Sequence, residues 1–256
     1  MRPEQGNQGV IWRSRAPHIE APRARLPEGT RIYAIGDIHG RLDLLDEVLA
    51  RVDTDMARHP ASNATRVFLG DYIDRGPDSR RVLERLIGCC AARPTICLMG
   101  NHEAYLRDFL KNPDVLSVWR RYGGLDTLLS YGLAPRFESD AQEQQELAAE
   151  LDRILPPGHR EFLGSLKQYF ICGDFFFVHA GVRPGICLTE QSEDDLLLIR
   201  ADFLSCEDDF GKVVVHGHTP VLEPDVRPNR INIDTGAYAT GRLTCLVLEG
   251  DEIRFI

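Results

Sequence analysis

The sequence contains no apolar stretch that approaches the roughly 20 residues needed to cross a bilayer. Its first 29 residues are rich in arginine and proline but lack the apolar segment of a secretory signal. We therefore expect no membrane partner. We interpret residues 1–29 as a flexible N-terminal arm whose basic side chains are solvated.

Cysteines are present, but they lack any recognisable spacing. The seven cysteines are odd in number, include no Cys-x-x-Cys pair and mostly stand among apolar residues. This pattern is typical of reduced, buried thiols, and it favours a cytoplasmic protein without a disulfide framework. No cysteine stands six positions before an arginine, so the Cys-x5-Arg loop of phosphatases that form a phosphocysteine is absent.

Basic residues are fewer than acidic residues, and the formal net charge is −9. A surface of this charge repels phosphate backbones, so we expect no nucleic-acid polymer as a partner. A single phosphoester group is not excluded, because metal ions and local positive charge can bind it. The 256 residues, 43% apolar and 27% charged, suit one globular α/β domain with a small insertion.

Alternating strand and helix patterns fill the first third of the predicted domain. Residues 31–35, 67–69 and 95–99 are β-prone, and apolar residues recur at helical spacing over residues 42–52 and after Pro77. Such βαβαβ units, with strands about 30 residues apart, require parallel strands. Polar residues just past the ends of parallel strands gather at one edge of the sheet.

Residues 104–166 have a different pattern, with four helical stretches interrupted by Gly-Gly and Pro-Pro pairs. We interpret them as a helical cap that selects the substrate. Strand patterns then resume and continue almost to residue 256, and we expect these last strands to be antiparallel. The expected organisation is one domain over residues 30–256, of the α/β class, with two mixed β-sheets packed face to face and helices outside.

Five short polar segments each follow an apolar β-like stretch or lie close behind one. They are Gly36–Gly40, Gly70–Gly76, Gly100–Glu103, Val178–Gly181 and His216–Thr219. Together they supply the carboxylates, imidazoles and amide oxygen that two adjacent divalent metal ions need. The sequence therefore predicts a binuclear metal-hydrolase site.

Asp37 and His39 begin this donor set. Two positions apart on an extended backbone, they point to the same side. A carboxylate and an imidazole together suit Mn, Fe or Zn and poorly suit Ca. Taken alone, the same pair is weak evidence, and a helix N-cap before Arg41 is then the favoured interpretation.

The remaining donors lie further along the chain. Asp71 has two oxygens and so can bridge two metals, which such carboxylates hold roughly 3.5–4 Å apart. Asn101 offers a neutral carbonyl oxygen. His179 ends a very apolar strand, where an unpartnered imidazole would be costly to bury, although a hydrogen-bonded core histidine is the alternative. His218 lies in a glycine-rich turn.

In this order the segments resemble those of the calcineurin-like metallophosphoesterases and, within them, of the phosphoprotein phosphatase family. The resemblance covers roughly residues 31–248 and includes the bacterial and bacteriophage-lambda-type serine/threonine phosphatases. It implies two divalent metal ions, with manganese expected first and iron or zinc as alternatives. The metal ligands that it implies are Asp37, His39 and Asp71 for the first ion, and Asp71, Asn101, His179 and His218 for the second.

His216 remains ambiguous on this resemblance. In more distant metallophosphoesterases both histidines of a His-x-His segment are ligands, whereas the phosphoprotein phosphatase pattern uses only the second. We therefore expect His218 to be the ligand, and His216 to support the ligands or to face the substrate.

Further residues match catalytic positions. Arg75 and Arg200 are expected to clamp the phosphoryl oxygens, Arg200 by similarity to the lambda-type enzymes. His102 is expected to act as general acid, with the carboxylate of Asp74 raising its pKa. The resemblance implies the same pairing. Glu103 is expected to support the loop.

The resemblance implies hydrolysis by direct in-line attack of a metal-bridging hydroxide on phosphorus. The first expectation is a serine/threonine protein phosphatase that acts on phosphorylated proteins or on small phosphoesters. A symmetrical dinucleoside tetraphosphatase is the alternative, although such enzymes generally lack the acidic residue that Asp74 provides. Aromatic residues of the cap could serve its nucleosides, but packing in the core or cap is the favoured interpretation of them; they are Tyr105, Trp119, Tyr122 and Tyr131. A catalytically inactive metal-binding module is the third reading, and the intact ligand set argues against it.

Overall fold

Two β-sheets of five strands each organise the part of the chain that the structure describes. The structure is a computed structural model, and it describes residues 24–136 and 140–256. The strands are β1 (Thr30–Ile35), β2 (Asn63–Phe68), β3 (Thr95–Cys97), β4 (Tyr169–Cys172), β5 (Phe175–Val178), β6 (Val213–His216), β7 (Asp225–Val226), β8 (Arg230–Asn232), β9 (Cys245–Glu249) and β10 (Glu252–Phe255).

Helices fill most of the connections between these strands. They are α1 (Leu42–Arg58), α2 (Ser79–Ala92), α3 (Asn101–Phe109), α4 (Leu116–Trp119), α5 (Gly124–Ser130), α6 (Ala141–Ile154), α7 (Pro157–Ser165), α8 (Glu193–Leu198), α9 (Ala201–Leu204) and α10 (Ala237–Thr240). Short 3-10 turns at Pro113–Val115 and Arg120–Tyr122 flank α4.

The first sheet has the strand order β10-β9-β1-β2-β3. Its three N-terminal strands are parallel, and β9 and β10 add an antiparallel hairpin beside β1. The second sheet has the order β4-β5-β6-β8-β7. In it β5, β6 and β8 are parallel, and β4 and β7 pair antiparallel at its two edges.

The core is layered because residues alternate between the two faces of each strand. Ile32, Val67, Phe175 and Phe177 are buried in an apolar layer that both sheets share. On the other face of the first sheet, strand residues such as Tyr33 pack with helices α1 to α7. On the other face of the second sheet, strand residues pack with α8 and α9. The prediction of two mixed sheets packed face to face with helices outside is confirmed.

Some boundaries differ from the sequence pattern. The apolar repeat predicts a helix over residues 42–52, but α1 continues to Arg58 because no breaker occurs before Pro60. The helix after Pro77 begins at Ser79. The pattern also suggested that the C-terminal strands are antiparallel, yet β5, β6 and β8 are parallel. The long connections between them, one of which contains α8 and α9, allow the chain to cross over.

Helices α3 to α7 occupy the predicted cap, and they pack closely against the domain. Their buried residues Leu106, Trp119, Leu128 and Phe162 belong to the same apolar cluster as those of α1 and α2. The predicted N-terminal arm lies outside the described residues up to position 23, and Leu26 is buried between the sheets. Among the described residues, no helix is both long and apolar enough to span a bilayer.

The shared core between the sheets can be tested by truncation. Phe177 is fully buried there, and we expect Phe177→Ala to lower the free energy of unfolding by about 3–5 kcal/mol, because it removes apolar contacts and leaves a cavity. Urea denaturation would show a lower midpoint at an unchanged slope. Leu222→Ala is the matched control: Leu222 is 83% exposed, so its truncation should change stability by less than about 0.5 kcal/mol. Equal losses in both variants would contradict the layered core.

Candidate metal centre

The predicted ligands lie at or just beyond the carboxyl ends of parallel strands. Because parallel strands end at the same edge of a sheet, the segments after β1, β2, β3, β5 and β6 converge although they are far apart in sequence. The side chains that they deliver are all buried: Asp37, His39, Asp71, Asn101, His179 and His218.

Asp71 is the centre of this arrangement. Its Oδ2 lies 3.6 Å from His39 Nε2, and its Oδ1 lies 3.3 Å from His179 Nε2. Ligand atoms within 4.8 Å of one another form two groups, His39–Asp71–His102 and Asp71–His179–His218. One carboxylate shared by two histidine-containing groups is the arrangement that a pair of bridged divalent ions requires.

Hydrogen bonds to backbone carbonyls fix the histidine tautomers. Nδ1 of His39 donates to the carbonyl of Ile73, and Nδ1 of His179 donates to that of Leu69, each at 3.0 Å. The Nε2 lone pairs are therefore turned towards Asp71. Burial lowers the pKa of His39 to about 3 and also lowers that of His179, so both imidazoles are neutral, as metal ligands must be.

Two further side chains fit a metal on this structure. Oδ1 of Asn101 lies 3.0 Å from His179 Nε2 and 2.9 Å from His218 Nδ1, so three potential ligand atoms converge. Oδ1 of Asp37 is buried without a hydrogen-bond partner. Burial, Asp234 and Asp71 raise the pKa of Asp37 well above its usual range, and a cation would offset that cost. Asp37 belongs to neither of the two groups around Asp71.

Backbone strain is concentrated in this region. Every non-glycine residue with positive φ in the described part of the chain belongs to the predicted site: His39, Asp71, Asp74, Arg75 and His218. Left-handed backbone costs free energy for residues with a Cβ, and it is retained where a site needs a particular side-chain direction. No sequence pattern indicated this strain.

The Asp74–His102 pair is present as predicted. Nδ1 of His102 lies 2.6 Å from Oδ2 of Asp74, and both side chains are fully buried. Asp74 also accepts hydrogen bonds from Trp119 Nε1 and Thr127 Oγ1. Burial alone would lower the pKa of His102, but the charge of Asp71 and the bond to Asp74 outweigh it and raise the pKa. Sequence patterns assigned no role at Asp74 to Trp119 or Thr127.

Both predicted clamps line a cavity of about 140 Å³ over the two groups. Arg75 lies 4.5 Å from the ring centre of Tyr238, and its Nη2 lies 3.4 Å from His102 Nε2. Nη1 of Arg200 donates to Thr219 at 3.1 Å. The residues that line the cavity are His39, Asp71, Arg75, Asn101, His102, Tyr105, Tyr122, Leu198, Arg200 and His218.

His216 is not among the residues that line the cavity. It is fully buried, its Nδ1 lies 3.1 Å from the carbonyl of Gly217, and its ring packs edge-on against Phe203. This position favours a supporting role behind His218 over contact with substrate. Tyr238 and Asp234 also lie beside the site, and sequence patterns assigned them no role because their segments contain no recognised ligand pattern.

The predicted role of Asp71 as a bridge between two metal ions can be tested by measuring the number of metal ions bound per chain. We expect Asp71→Asn to lower bound metal from about two ions per chain to below one, because both groups lose their shared anionic ligand. Elemental analysis after gel filtration in manganese measures this ratio. Arg200→Ala, which alters the cavity wall without removing a candidate ligand, should keep the metal content of the natural chain. Full metal content in Asp71→Asn would rule out the bridge.

Comparison with known proteins agrees with this geometry. The sequence model of the calcineurin-like phosphoesterases matches residues 30–248. A protein of Oceanobacillus iheyensis named bis(5'-nucleosyl)-tetraphosphatase PrpE (asymmetrical) is 26% identical over 233 residues, which cover 84% of this chain and 87% of that protein. The protein of the same name from Bacillus subtilis is 28% identical over 231 residues, with 82% and 87% covered.

Solved structures resemble the fold at lower identity. The crystal structure of a candidate diadenosine tetraphosphatase has a TM-score of 0.57 and 20% identity, over 92% of this chain and 95% of that one. A mutant cold-active protein tyrosine phosphatase has a TM-score of 0.60 and 16% identity, over 90% and 80%. The family match, which spans most of the chain, and the Asp71-centred metal site lead to one conclusion: the chain belongs to the calcineurin-like phosphoesterases and is a metal-dependent phosphoester hydrolase.

Proposed function

We propose that this enzyme hydrolyses phosphomonoesters with alkoxide leaving groups, as in phosphoserine and phosphothreonine residues of proteins. The observation that carries this proposal is the buried Asp74–His102 pair beside Asp71. Two bound divalent ions would supply an activated water and would neutralise charge on the phosphoryl oxygens. The protein must then bind the phosphoryl group, orient it and deliver a proton to the leaving oxygen.

Two sets of side chains are proposed to hold the ions. Their supporting evidence is the convergence of donor atoms on Asp71 and Asn101 and the unpartnered Oδ1 of Asp37. The proposed ligands are Asp37, His39 and Asp71 for one ion, and Asp71, Asn101, His179 and His218 for the other. Manganese is proposed as the resident metal, because a mixed set of carboxylate, amide and imidazole ligands suits it.

His102 is proposed to donate the proton. Its Nε2 lies 3.7 Å from Oδ2 of Asp71, close enough for the imidazole to be a ligand instead. Its Nδ1, however, is bonded to a carboxylate, which stabilises the doubly protonated ring and leaves an N–H at Nε2 directed to the cavity. Trp119 and Thr127 fix the orientation of Asp74, so the imidazole has little rotational freedom.

Arg75 and Arg200 are proposed to bind the phosphoryl oxygens. Both line the cavity, and the guanidinium groups can donate several hydrogen bonds to an anion there. Arg75 is held by its contact with the ring of Tyr238, which limits the entropy lost when phosphate binds.

A dinucleoside tetraphosphate is the second candidate substrate. The rings of Tyr105 and Tyr122 stack at the cavity, with centres 5.6 Å apart and planes 14° apart, and Tyr122 is 44% exposed. Such rings can receive a nucleobase. The names of the relatives point the same way, although they indicate asymmetrical cleavage and not the symmetrical cleavage expected from the sequence. Trp119 and Tyr131 are buried and do not line the cavity.

The general-acid role predicts a dependence on the leaving group. We expect His102→Ala to lower kcat/KM about 100- to 10,000-fold on phenyl phosphate or a phosphoserine peptide, because the leaving oxygen then lacks its proton donor. The loss should be much smaller on nitrophenyl phosphate, whose leaving group needs no proton. Metal content should be unchanged. Equal losses on both esters would contradict the general acid, and loss of one ion would show that His102 is a ligand.

The substrate class can be decided by direct competition. The manganese-loaded protein is given a phosphoserine peptide and diadenosine tetraphosphate at equal concentration, and phosphorus NMR follows both. We expect orthophosphate from the peptide at the higher initial rate. AMP with ATP, or two ADP, as the faster product would overturn this proposal in favour of the second candidate and would distinguish its asymmetrical and symmetrical forms. Tyr122→Leu should then raise KM for the dinucleotide and leave phenyl phosphate unaffected.

A further inference from the structure

Two cysteines lie close together away from the cavity. Cys90 is in the last turn of α2, and Cys97 is the last residue of β3. Their sulfur atoms are 3.7 Å apart. Cys90 is exposed and Cys97 is buried, so solvent reaches Cys90 more readily than Cys97. The sequence pattern predicted buried thiols in general, and Cys90 departs from it.

The surroundings of this pair favour thiol chemistry over metal binding. Among the described residues, no group of three potential ligands within 4.8 Å includes either cysteine. The thiol of Cys97 is hydrogen-bonded to the sulfur of Cys90, which lowers the pKa of Cys90 to about 7. The pKa of Cys97 is raised by the same bond and by burial. Cys90 is therefore the exposed nucleophile, and Cys97 is placed as the resolving thiol that would complete a disulfide.

We propose that Cys90 and Cys97 form a reversible redox-active dithiol, which hydrogen peroxide or a small disulfide such as oxidised glutathione converts to an intramolecular disulfide. The sulfur atoms must approach by about 1.7 Å to reach the bond length of about 2.0 Å. Cys90 lies near the C-terminal end of its helix and only six residues separate the two cysteines, so a local adjustment suffices.

With peroxide, the Cys90 thiolate attacks one oxygen and the O–O bond breaks, which after protonation releases water and leaves a sulfenic acid. The Cys97 sulfur then attacks the Cys90 sulfur, the S–O bond breaks, and a second water leaves with the thiol proton. The two thiols lose two electrons, and these reduce one peroxide to two waters. With oxidised glutathione, the Cys90 thiolate attacks one sulfur, the S–S bond breaks, and one glutathione leaves as a thiolate that takes up a proton. Cys97 then attacks the Cys90 sulfur of the mixed disulfide, and the second glutathione leaves with the proton of the Cys97 thiol.

Cys187 provides an internal control for this chemistry. It is exposed, and a hydrogen bond with Thr189 lowers the pKa of its thiol, but this partner is a hydroxyl and not a second thiol. Cys187 should therefore react with the same oxidants but retain glutathione, since no neighbouring sulfur displaces it. Reactivity at Cys187 verifies that the oxidant is active.

The test uses the full chain, reduced and freed of reductant, at pH 7. Oxidised glutathione or hydrogen peroxide is added, free thiols are blocked with iodoacetamide, and mass spectrometry of tryptic peptides locates each modification. We expect a Cys90–Cys97 bridge that dithiothreitol reverses, with glutathione retained only at Cys187. In Cys97→Ala, which removes both the second sulfur and the hydrogen-bond donor, Cys90 should retain glutathione, and its labelling by iodoacetamide should slow roughly tenfold as its pKa returns towards the usual range.

Three outcomes would overturn the proposal. Stable glutathione on Cys90 in the natural chain would show that Cys97 cannot reach it. Full alkylation of Cys90 and Cys97 under conditions that modify Cys187 would show that the pair is not reactive. A bridge from Cys90 to Cys89 would assign the reaction to a different partner. Cys90→Ser, at an exposed position where folding is not at risk, should abolish the bridge and leave Cys187 unchanged.

Discussion

The carboxylate of Glu103 holds the metal site together. It is fully buried in α3 and accepts hydrogen bonds from the backbone N–H groups of Gly100, Asp71, Tyr72 and Ile73 at 2.8–3.2 Å. These bonds tie the loop after β2 to the start of α3, so they fix Asp71 relative to Asn101. Burial and the charge of Asp71 raise the pKa of Glu103 to about 8, and the backbone donors oppose that shift. The expected loop-supporting role of Glu103 is what these contacts show.

Close backbone approach at the same place leaves no room for a larger residue. A Cβ at Gly100 would collide with the backbone nitrogen and Oδ1 of Asp71. Gly100 therefore permits the contact that Glu103 stabilises. Gly100 allows the loops after β2 and β3 to touch, and Glu103 accepts hydrogen bonds from the backbone N–H groups that this contact buries.

The site concentrates unfavourable features that a stable core would avoid. Asp37, Asp71 and Asp234 are buried near one another, His39 and His218 are neutral in the same region, and several of the backbones are strained. Buried like charges and left-handed backbone both cost free energy. Divalent cations would offset the repulsion, so the arrangement is consistent with selection for metal binding and catalysis rather than for stability. The helical segment after β3 contributes directly, since its Trp119 and Thr127 orient Asp74.

The sequence alone determined the fold class and the set of side chains that converge. The sequence contains apolar strands that each end near Asp, Asn or His. Because the carboxyl ends of parallel strands lie at one edge of a sheet, these side chains must converge there. Only the tertiary structure decided which of those side chains lie in each group of potential metal ligands and which lie outside both groups. It placed His102 beside Asp71, left Asp37 outside both three-residue groups, turned His216 away from the cavity and brought Cys90 against Cys97. These outcomes depend on loop backbone angles and on packing between distant segments, which residue spacing along a chain does not encode.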